Sequence, residues 1–398
     1  MQSRTAPTQA FLVLLAAALV LGLVAVPSPA AAADGPADYV SMPPERVLDT
    51  RDGQGDIDTP IGHRATEAQQ VAGVGNVPAD AEAVAVNVTA INPSAQSYLR
   101  IFPAGAAMPD AASLNFPAGR TVGNFLITEL GDDGEVEIYN HNGEVDVTFD
   151  VMGYFPAGAD YEGMSPERVL DTRDDVAVGH RDTIDVPVAG QAGVPGDAEA
   201  VAINVTAIAP TAQSYLRVFP AGQTMPEAAS LNFQAGQVVG NLVVAEVGDG
   251  GEVSLYNHNG EVDVTFDVVG YFPAGGEFEQ VEPARLLDTR NDSQGEHDEP
   301  IGHRSQITQT VTGEHGVPED ARAVAVNLTV VDPSNLSHLR VYPTGAERPN
   351  AATVNFPAGL NVNNMVIADV GDDGQITIYN RNGSVDLTID VVGYLPGS

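Results

Sequence analysis

Apolar and polar residues alternate with a period of two through long stretches of the chain. Val145, Val147, Phe149 and Val151 are separated by Asp146, Thr148 and Asp150, the pattern of a strand with one apolar face. The same reading predicts strands over 46–50, 66–71, 83–91, 98–102, 113–116, 124–130, 135–140 and 145–155. Gly, Pro and Asp punctuate them, as in Phe102-Pro103-Ala104-Gly105 and Gly131-Asp132-Asp133-Gly134. Asn142-Gly143 follows the run Val136-Glu137-Ile138-Tyr139, which predicts a type I′ hairpin turn there. No amphipathic helical period appears after residue 33.

This block of strands occurs three times. Arg46-Val47-Leu48-Asp49-Thr50-Arg51 returns at 168–173 and 285–290, offsets of 122 and 117 residues. Gly62-His63-Arg64 returns at 179–181 and 302–304, and Asn87-Val88-Thr89 at 204–206 and 327–329. Residues 139–151 are identical to residues 256–268. A period near 117 far exceeds a solenoid unit, so each copy is expected to be a domain. The expected fold is all-β: three tandem antiparallel β-sandwich, jelly-roll-like domains of about eight strands each. Their boundaries are 34–157, 161–274 and 278–398, with short Pro/Gly/Ala linkers between them.

Residues 1–33 read as a signal peptide. Arg4 precedes an apolar run over 11–26, then Pro27-Ser28-Pro29 and a string of alanines, a secretory leader with an A-x-A-like exit. No later stretch is long and apolar enough to span a membrane. The expected location is secreted and extracellular, with association to the cell surface. The chain has no cysteine, which removes disulfides, thiol catalysis and thiolate metal sites.

The charge balance is strongly one-sided. With 54 acidic residues against 17 basic ones the net charge is −37, which argues against nucleic acid and anionic membranes as partners. All 17 basic residues are arginine. Twelve of them fill four positions three times: Arg46/Arg168/Arg285, Arg51/Arg173/Arg290, Arg64/Arg181/Arg304 and Arg100/Arg217/Arg340. A guanidinium forks onto carboxylate in a way that ammonium cannot. We expect an internal network built from Arg46, Asp49, Arg51, His63 and Arg64 with their copies Arg168, Asp171, Arg173, His180, Arg181, Arg285, Asp288, Arg290, His303 and Arg304. Asp49, Asp146 and Asp150 are its expected carboxylates, and a ligand-reading role for arginine stays open beside it.

Three other chemistries fit parts of the sequence. Ser97, His63 and Asp49, with their copies, are the residue types of a hydrolytic triad, but the serines lie in Ser-Tyr-Leu-Arg or Ser-His-Leu-Arg rather than a Gly-x-Ser-x-Gly elbow. Asp146 and Asp150 would lie about 13 Å apart along a strand, beyond the roughly 5–9.5 Å of glycosidase carboxyls. Asp132, Asp133, Asn140, Asn142 and Asp146 are oxygen donors suited to Ca²⁺, although their spacing is not that of an EF-hand and Asn-Gly is also plain turn chemistry. The Asn-x-Thr triplets at Asn87, Asn204 and Asn327 sit mid-strand and read as structural asparagines.

Arg-Val/Leu-Leu-Asp-Thr-Arg, Asn-Val-Thr-Ala and Val-Val-Gly-Tyr-Phe in that order resemble tandem repeat modules of secreted actinobacterial proteins. The resemblance covers 38–398 and implies an accessory extracellular module; it carries no agreed ligand or catalytic residue. The third copy departs at Leu286, His338, Arg381 and Leu395. The expected function is non-enzymatic binding of cell-wall or extracellular polysaccharide. Tyr98 and Tyr215 are its candidate stacking platforms, with Tyr139, Tyr256 and Tyr379, and Arg100, Arg217 and Arg340 its candidate polar contacts. Alternatives are an acidic surface or matrix protein associating through divalent cations, and an extracellular hydrolase.

Overall fold

The computed structural model describes residues 1–2, 39–131, 133–276, 278–291 and 295–397, so the signal-peptide segment lies outside the described residues apart from Met1 and Gln2. Residues from Pro36 to Ser398 form one compact unit. The described part is all-β, with three three-residue 3-10 segments as its only helix. Its strands form six four-stranded sheets, and all their pairings are antiparallel.

In the first repeat the strands are β1 Val40–Asp49, β2 Thr66–Gln70, β3 Ala81–Ile91, β4 Ser97–Pro103, β5 Leu114–Phe116, β6 Val122–Glu129, β7 Glu135–Asn140 and β8 Asp146–Pro156. One sheet has the order β1-β8-β3-β6 and the other β2-β7-β4-β5. The second repeat, from Glu162–Asp171 to Asp263–Pro273, and the third, from Glu279–Asp288 to Asp386–Leu395, repeat both orders. The eight strands fall close to the expected segments.

Two local readings differ. The first strand begins six residues before Arg46 and carries Pro43-Pro44 inside its first register shift, between Ser41 and Glu45. That is tolerated because β1 is an edge strand, where no neighbour needs the missing N–H groups. The Asn142-Gly143 turn is not a hairpin: β7 and β8 belong to different sheets, and of the two turn residues only Gly143 has a positive φ, 64°. Asn140 fixes this crossover. Its buried amide donates to the carbonyls of Ile61, Gly62 and Gly143 at 2.9–3.1 Å, and its oxygen accepts from Ser97 Oγ at 2.8 Å.

β3 explains how the repeats join. It reads Ala-Glu-Ala-Val-Ala-Val-Asn-Val-Thr-Ala-Ile and is buried on both faces. Val84, Val86 and Val88 point into an apolar cluster shared with Leu99, Ile101, Val136 and Ile138 of the other sheet. Ala83 and Ala85 lie instead in a cluster with Phe125 and Ile127 that continues through Ala200, Ala202, Leu242 and Val244 into the third repeat. The small side chains leave room for one repeat's sheet to approach the next.

Polar bonds close this assembly into a ring. Asn87 Nδ2 donates to Ala352 O of the third repeat at 2.5 Å, Asn204 to Ala112 O of the first at 2.5 Å, and Asn327 to Ala229 O of the second at 2.7 Å. Asn364 adds a second stitch: Nδ2 donates to Thr353 O at 2.7 Å and Oδ1 accepts from Phe125 N–H of the first repeat at 2.9 Å. Along one edge the rings of Tyr39, Phe155, Tyr161, Phe272 and Phe278 form a relay with centroids 4.4–5.1 Å apart. Arg322 of the third repeat donates to Tyr39 O at 2.6 Å, joining the last repeat to the first.

Asn364→Ala leaves the Phe125 N–H and the Thr353 carbonyl without their partner inside the ring. Urea unfolding should show a loss of about 1–3 kcal/mol, in a single transition that all three repeats share. Separate unfolding of the third repeat would contradict the closed ring.

Candidate functional site

The expected arginine–aspartate network forms, in all three copies. Arg46 makes a bidentate pair with Asp150, Nε to Oδ1 at 2.8 Å and Nη2 to Oδ2 at 3.0 Å, and reaches Asp49 through Nη1 at 3.0 Å. Arg51 binds Asp49 through Nε at 2.8 Å and Nη2 at 2.6 Å. Arg168, Asp171, Arg173 and Asp267 repeat this arrangement, as do Arg285, Asp288, Arg290 and Asp390. Arg173 draws the Asp171 carboxyl down to about 2 through its side-chain hydrogen bond. Burial pushes the carboxyls of Asp267 and Asp390 up against the pull of their arginines. Each cluster balances two guanidinium groups with two carboxylates and so carries little net charge.

Asp146 is not an arginine partner. Its Oδ1 accepts from Thr50 Oγ1 at 2.8 Å, and Thr50 Oγ1 in turn accepts from Val147 N–H at 3.0 Å. His63 and Arg64 also stand apart from the network: they are exposed, as are His180, Arg181, His303 and Arg304. They occupy a turn outside the sheets, and the arginine there adopts φ of 53–54° in every repeat. That left-handed conformation is uncommon for a residue with a Cβ.

The other chemistries do not converge. Ser97 is buried; it donates to Asn140 and accepts from Asn142 N–H at 2.8 Å, while Asp49 is engaged by two arginines. Asp132 lies outside the described residues. Of the remaining calcium candidates, Asn140 is consumed by the crossover, Asn142 Nδ2 donates to Gln96 O at 3.3 Å, Asp146 holds Thr50 and Asp133 is exposed. Among the described residues no three His, Asp or Glu side chains come together as a metal would require.

What does converge is the outer face of the β4–β7 pair. Period-two alternation on β4 turns Leu99 inward and Tyr98 and Arg100 outward. Arg100 lies opposite Tyr139 on β7, and Tyr98 opposite Asn115 on β5. The Arg100 guanidinium carbon sits 5.3 Å from the Tyr98 ring and 5.7 Å from Tyr139, within cation–π reach. His141 stacks on Tyr98 with centroids 4.6 Å apart. The second repeat builds the same box from Tyr215, Arg217, Tyr256 and His258. In the third, His338 replaces the first tyrosine, Arg381 replaces the histidine, and Arg348 lies 4.0 Å over Tyr379. Burial, then Arg340 and Arg381, push His338 down to about 4.

Ring closure sets each box against its neighbour. A cleft of about 1250 Å³ is lined by Tyr98, Arg100 and His141 of the first repeat, Arg168, Asp171 and Arg173 of the second, and Asn355 of the third. A second recess of about 470 Å³ is lined by His303, Arg304, His338 and Arg381 of the third repeat with Thr121 of the first. The sequence reading missed Asn115, Asn232, Asn355 and Arg348. The repeated Leu/Val-Asn-Phe triplets, a polar residue between two inward apolar ones, carried the signal for the asparagines.

No family model and no curated protein matches the chain. Among solved structures, one similar chain is described by "The Triple Jelly Roll Fold and Turret Assembly in an Archaeal Virus" (11% identity, TM-score 0.22, covering 90% of this chain and 91% of that one). Another is described by "Life in the extremes: atomic structure of Sulfolobus Turreted Icosahedral Virus" (11% identity, TM-score 0.23, covering 90% and 92%). Likeness at that level carries no argument about this chain. Among the described residues no helix is long and apolar enough to cross a membrane.

Asp150 is 2% exposed, so Asp150→Ala strands the inner end of Arg46. Denaturant unfolding should show a loss of about 3 kcal/mol or more. Arg51→Ala, at the 46%-exposed end of the cluster, should cost below about 1 kcal/mol.

Proposed function

We propose that this chain is an exported, non-enzymatic binding protein that holds cell-wall or extracellular polysaccharide at three related arginine–aromatic boxes. We read each repeat as a jelly-roll-like β-sandwich module, a reading supported by eight strands split between two sheets around shared apolar side chains. The observation that carries the proposal is the threefold recurrence of an arginine–aromatic box on the outer face of one sheet. Half-buried Tyr98 and Tyr215 offer ring area and hydroxyls, and the arginines offer planar donors, the mix that sugar faces and ring substituents engage. Three weak sites on one rigid body gain avidity on a repetitive polymer.

The ring changes how this is tested, because an isolated repeat would expose the apolar surface it shares with its neighbours. Sedimentation of the 34–398 chain with isolated cell walls and insoluble polysaccharides, with calcium and with chelator, measures binding directly. Saturable binding is expected, with losses that steepen from Tyr98→Ala to Tyr98→Ala/Tyr215→Ala. Absence of binding to every wall and polysaccharide would overturn the proposal.

A further inference from the structure

We propose that the polymer is acidic: each recess takes an anionic substituent of the glycan, a carboxylate or a sulfate ester, between its box arginine and its asparagine. This rests on the polysaccharide reading and names the ligand's chemistry.

An acidic chain has few cations to place. Six arginines are neutralised inside the Arg–Asp clusters. The box residues Arg100, Arg217 and Arg340, with Arg348 and Arg381 of the third repeat, have no ion-paired carboxylate among the described residues. A chain of net charge −37 has carboxylates to spare, yet none is set against these groups. In the third repeat the cations crowd one another: burial, then Arg348 and Arg381, lower the Arg340 guanidinium from its usual range. Like charges held together in a fold oppose its stability, and no neutralising role inside the protein accounts for them.

Hydrogen bonding points the same way. Arg100 Nη2 donates to Asp110 O at 3.2 Å and Arg340 Nη1 to Pro349 O at 2.8 Å, which anchors one arm of each fork. Arg217 Nη2 reaches the Tyr215 hydroxyl at 3.4 Å. The buried Nε atoms of Arg100, Arg217 and Arg340 have no partner, nor do Asn232 Nδ2, Asn355 Nδ2 and His338 Nε2. Among the described residues these are six of the nine buried side-chain polar atoms left without a partner. The five arginine and asparagine nitrogens are donors: Arg217 and Asn232 on one sheet face of the second repeat, Arg340 and Asn355 on the equivalent face of the third, and Arg100 on that of the first. A buried donor without an acceptor costs about 1–3 kcal/mol, and an oxygen-rich anion satisfies several at once. The left-handed arginine of the Gly-His-Arg turn adds to this picture. Arg304 lines the recess of the third repeat beside Arg381, and Arg181 is near enough to lower His258. A side chain kept where glycine would relieve strain, three times over, fits a binding role.

The acids at the cleft leave the donors available: Asp171 is held by Arg168 and Arg173, and Asp110 is exposed and offers Arg100 its carbonyl. The overall negative field disfavours densely charged polymers but is screened over about 8–10 Å in physiological salt. One acid group per sugar is the density the recesses suit.

The test measures binding of the 34–398 chain to an oligogalacturonate, a sulfated oligosaccharide and the carboxyl-reduced form of the oligogalacturonate. Binding of an acidic oligomer with no binding of the reduced one is expected, and the two acidic arms tell carboxylate from sulfate. Arg100→Gln/Arg217→Gln/Arg340→Gln should weaken binding at least tenfold. If that variant loses its native unfolding transition, the exposed pair Arg348→Gln/Arg381→Gln should instead lower the number of sites. Equal binding of acidic and reduced oligomers overturns the acidic assignment and leaves the polysaccharide reading standing. Binding to isolated walls with no acidic oligomer bound also overturns the assignment; absence of binding to walls and oligomers alike overturns both.

Discussion

An asparagine amide in the middle of a doubly buried strand has to find an acceptor, and here the acceptor belongs to a neighbouring repeat. Asn87, Asn204 and Asn327 each donate to a carbonyl just before the short strand of another repeat, in the cyclic order that a closed ring demands. An orphaned amide at that depth would cost about 1–3 kcal/mol each, so the three bonds oppose any open arrangement of the repeats. The alanines beside them keep the sheets close enough for the bonds to form. Although the repeats follow one another along the chain on short connections, they fold as parts of one body.

Ring closure also decides where function is available. The inner faces of the sheets are committed to apolar packing and the Arg–Asp clusters to their own neutralisation. What remains is the outer face of the β4–β7 pair and its equivalents, set against the next repeat's cluster. Charge is partitioned accordingly, balanced pairs on one side of a seam and unbalanced arginines on the other. The third copy keeps the arginine but exchanges a tyrosine for His338 and a histidine for Arg381. It has less aromatic surface and more cation, so the three boxes differ in weight between stacking and charge.

Much of this was legible in the sequence. Period-two alternation placed eight strands per repeat near their observed positions, because strands with one apolar face announce themselves. The absence of lysine singled out arginine, and the bidentate Arg46–Asp150 pair follows from that chemistry. Ring closure is less visible: the Ala-Val-Ala-Val alternation marks both faces as buried without showing what covers the second. Asn142-Gly143 misled because turn propensity is local, whereas the crossover is dictated by Asn140 bonding to a segment some eighty residues earlier. His63 and Arg64 recur together with the network, but their turn sits outside the sheets, and nothing in a sequence distinguishes recurrence kept for folding from recurrence kept for a surface. Asn232 and Asn355 went unnoticed because a single asparagine in a three-residue strand carries almost no pattern.

Calorimetric titration of the 34–398 chain with a short acidic oligosaccharide, too short to bridge two boxes, counts the anion-binding sites that ring closure sets against neighbouring repeats. Three sites per chain are expected, two alike and one distinct, with affinity that falls as salt rises. A single site, or affinity indifferent to salt, would contradict that expectation.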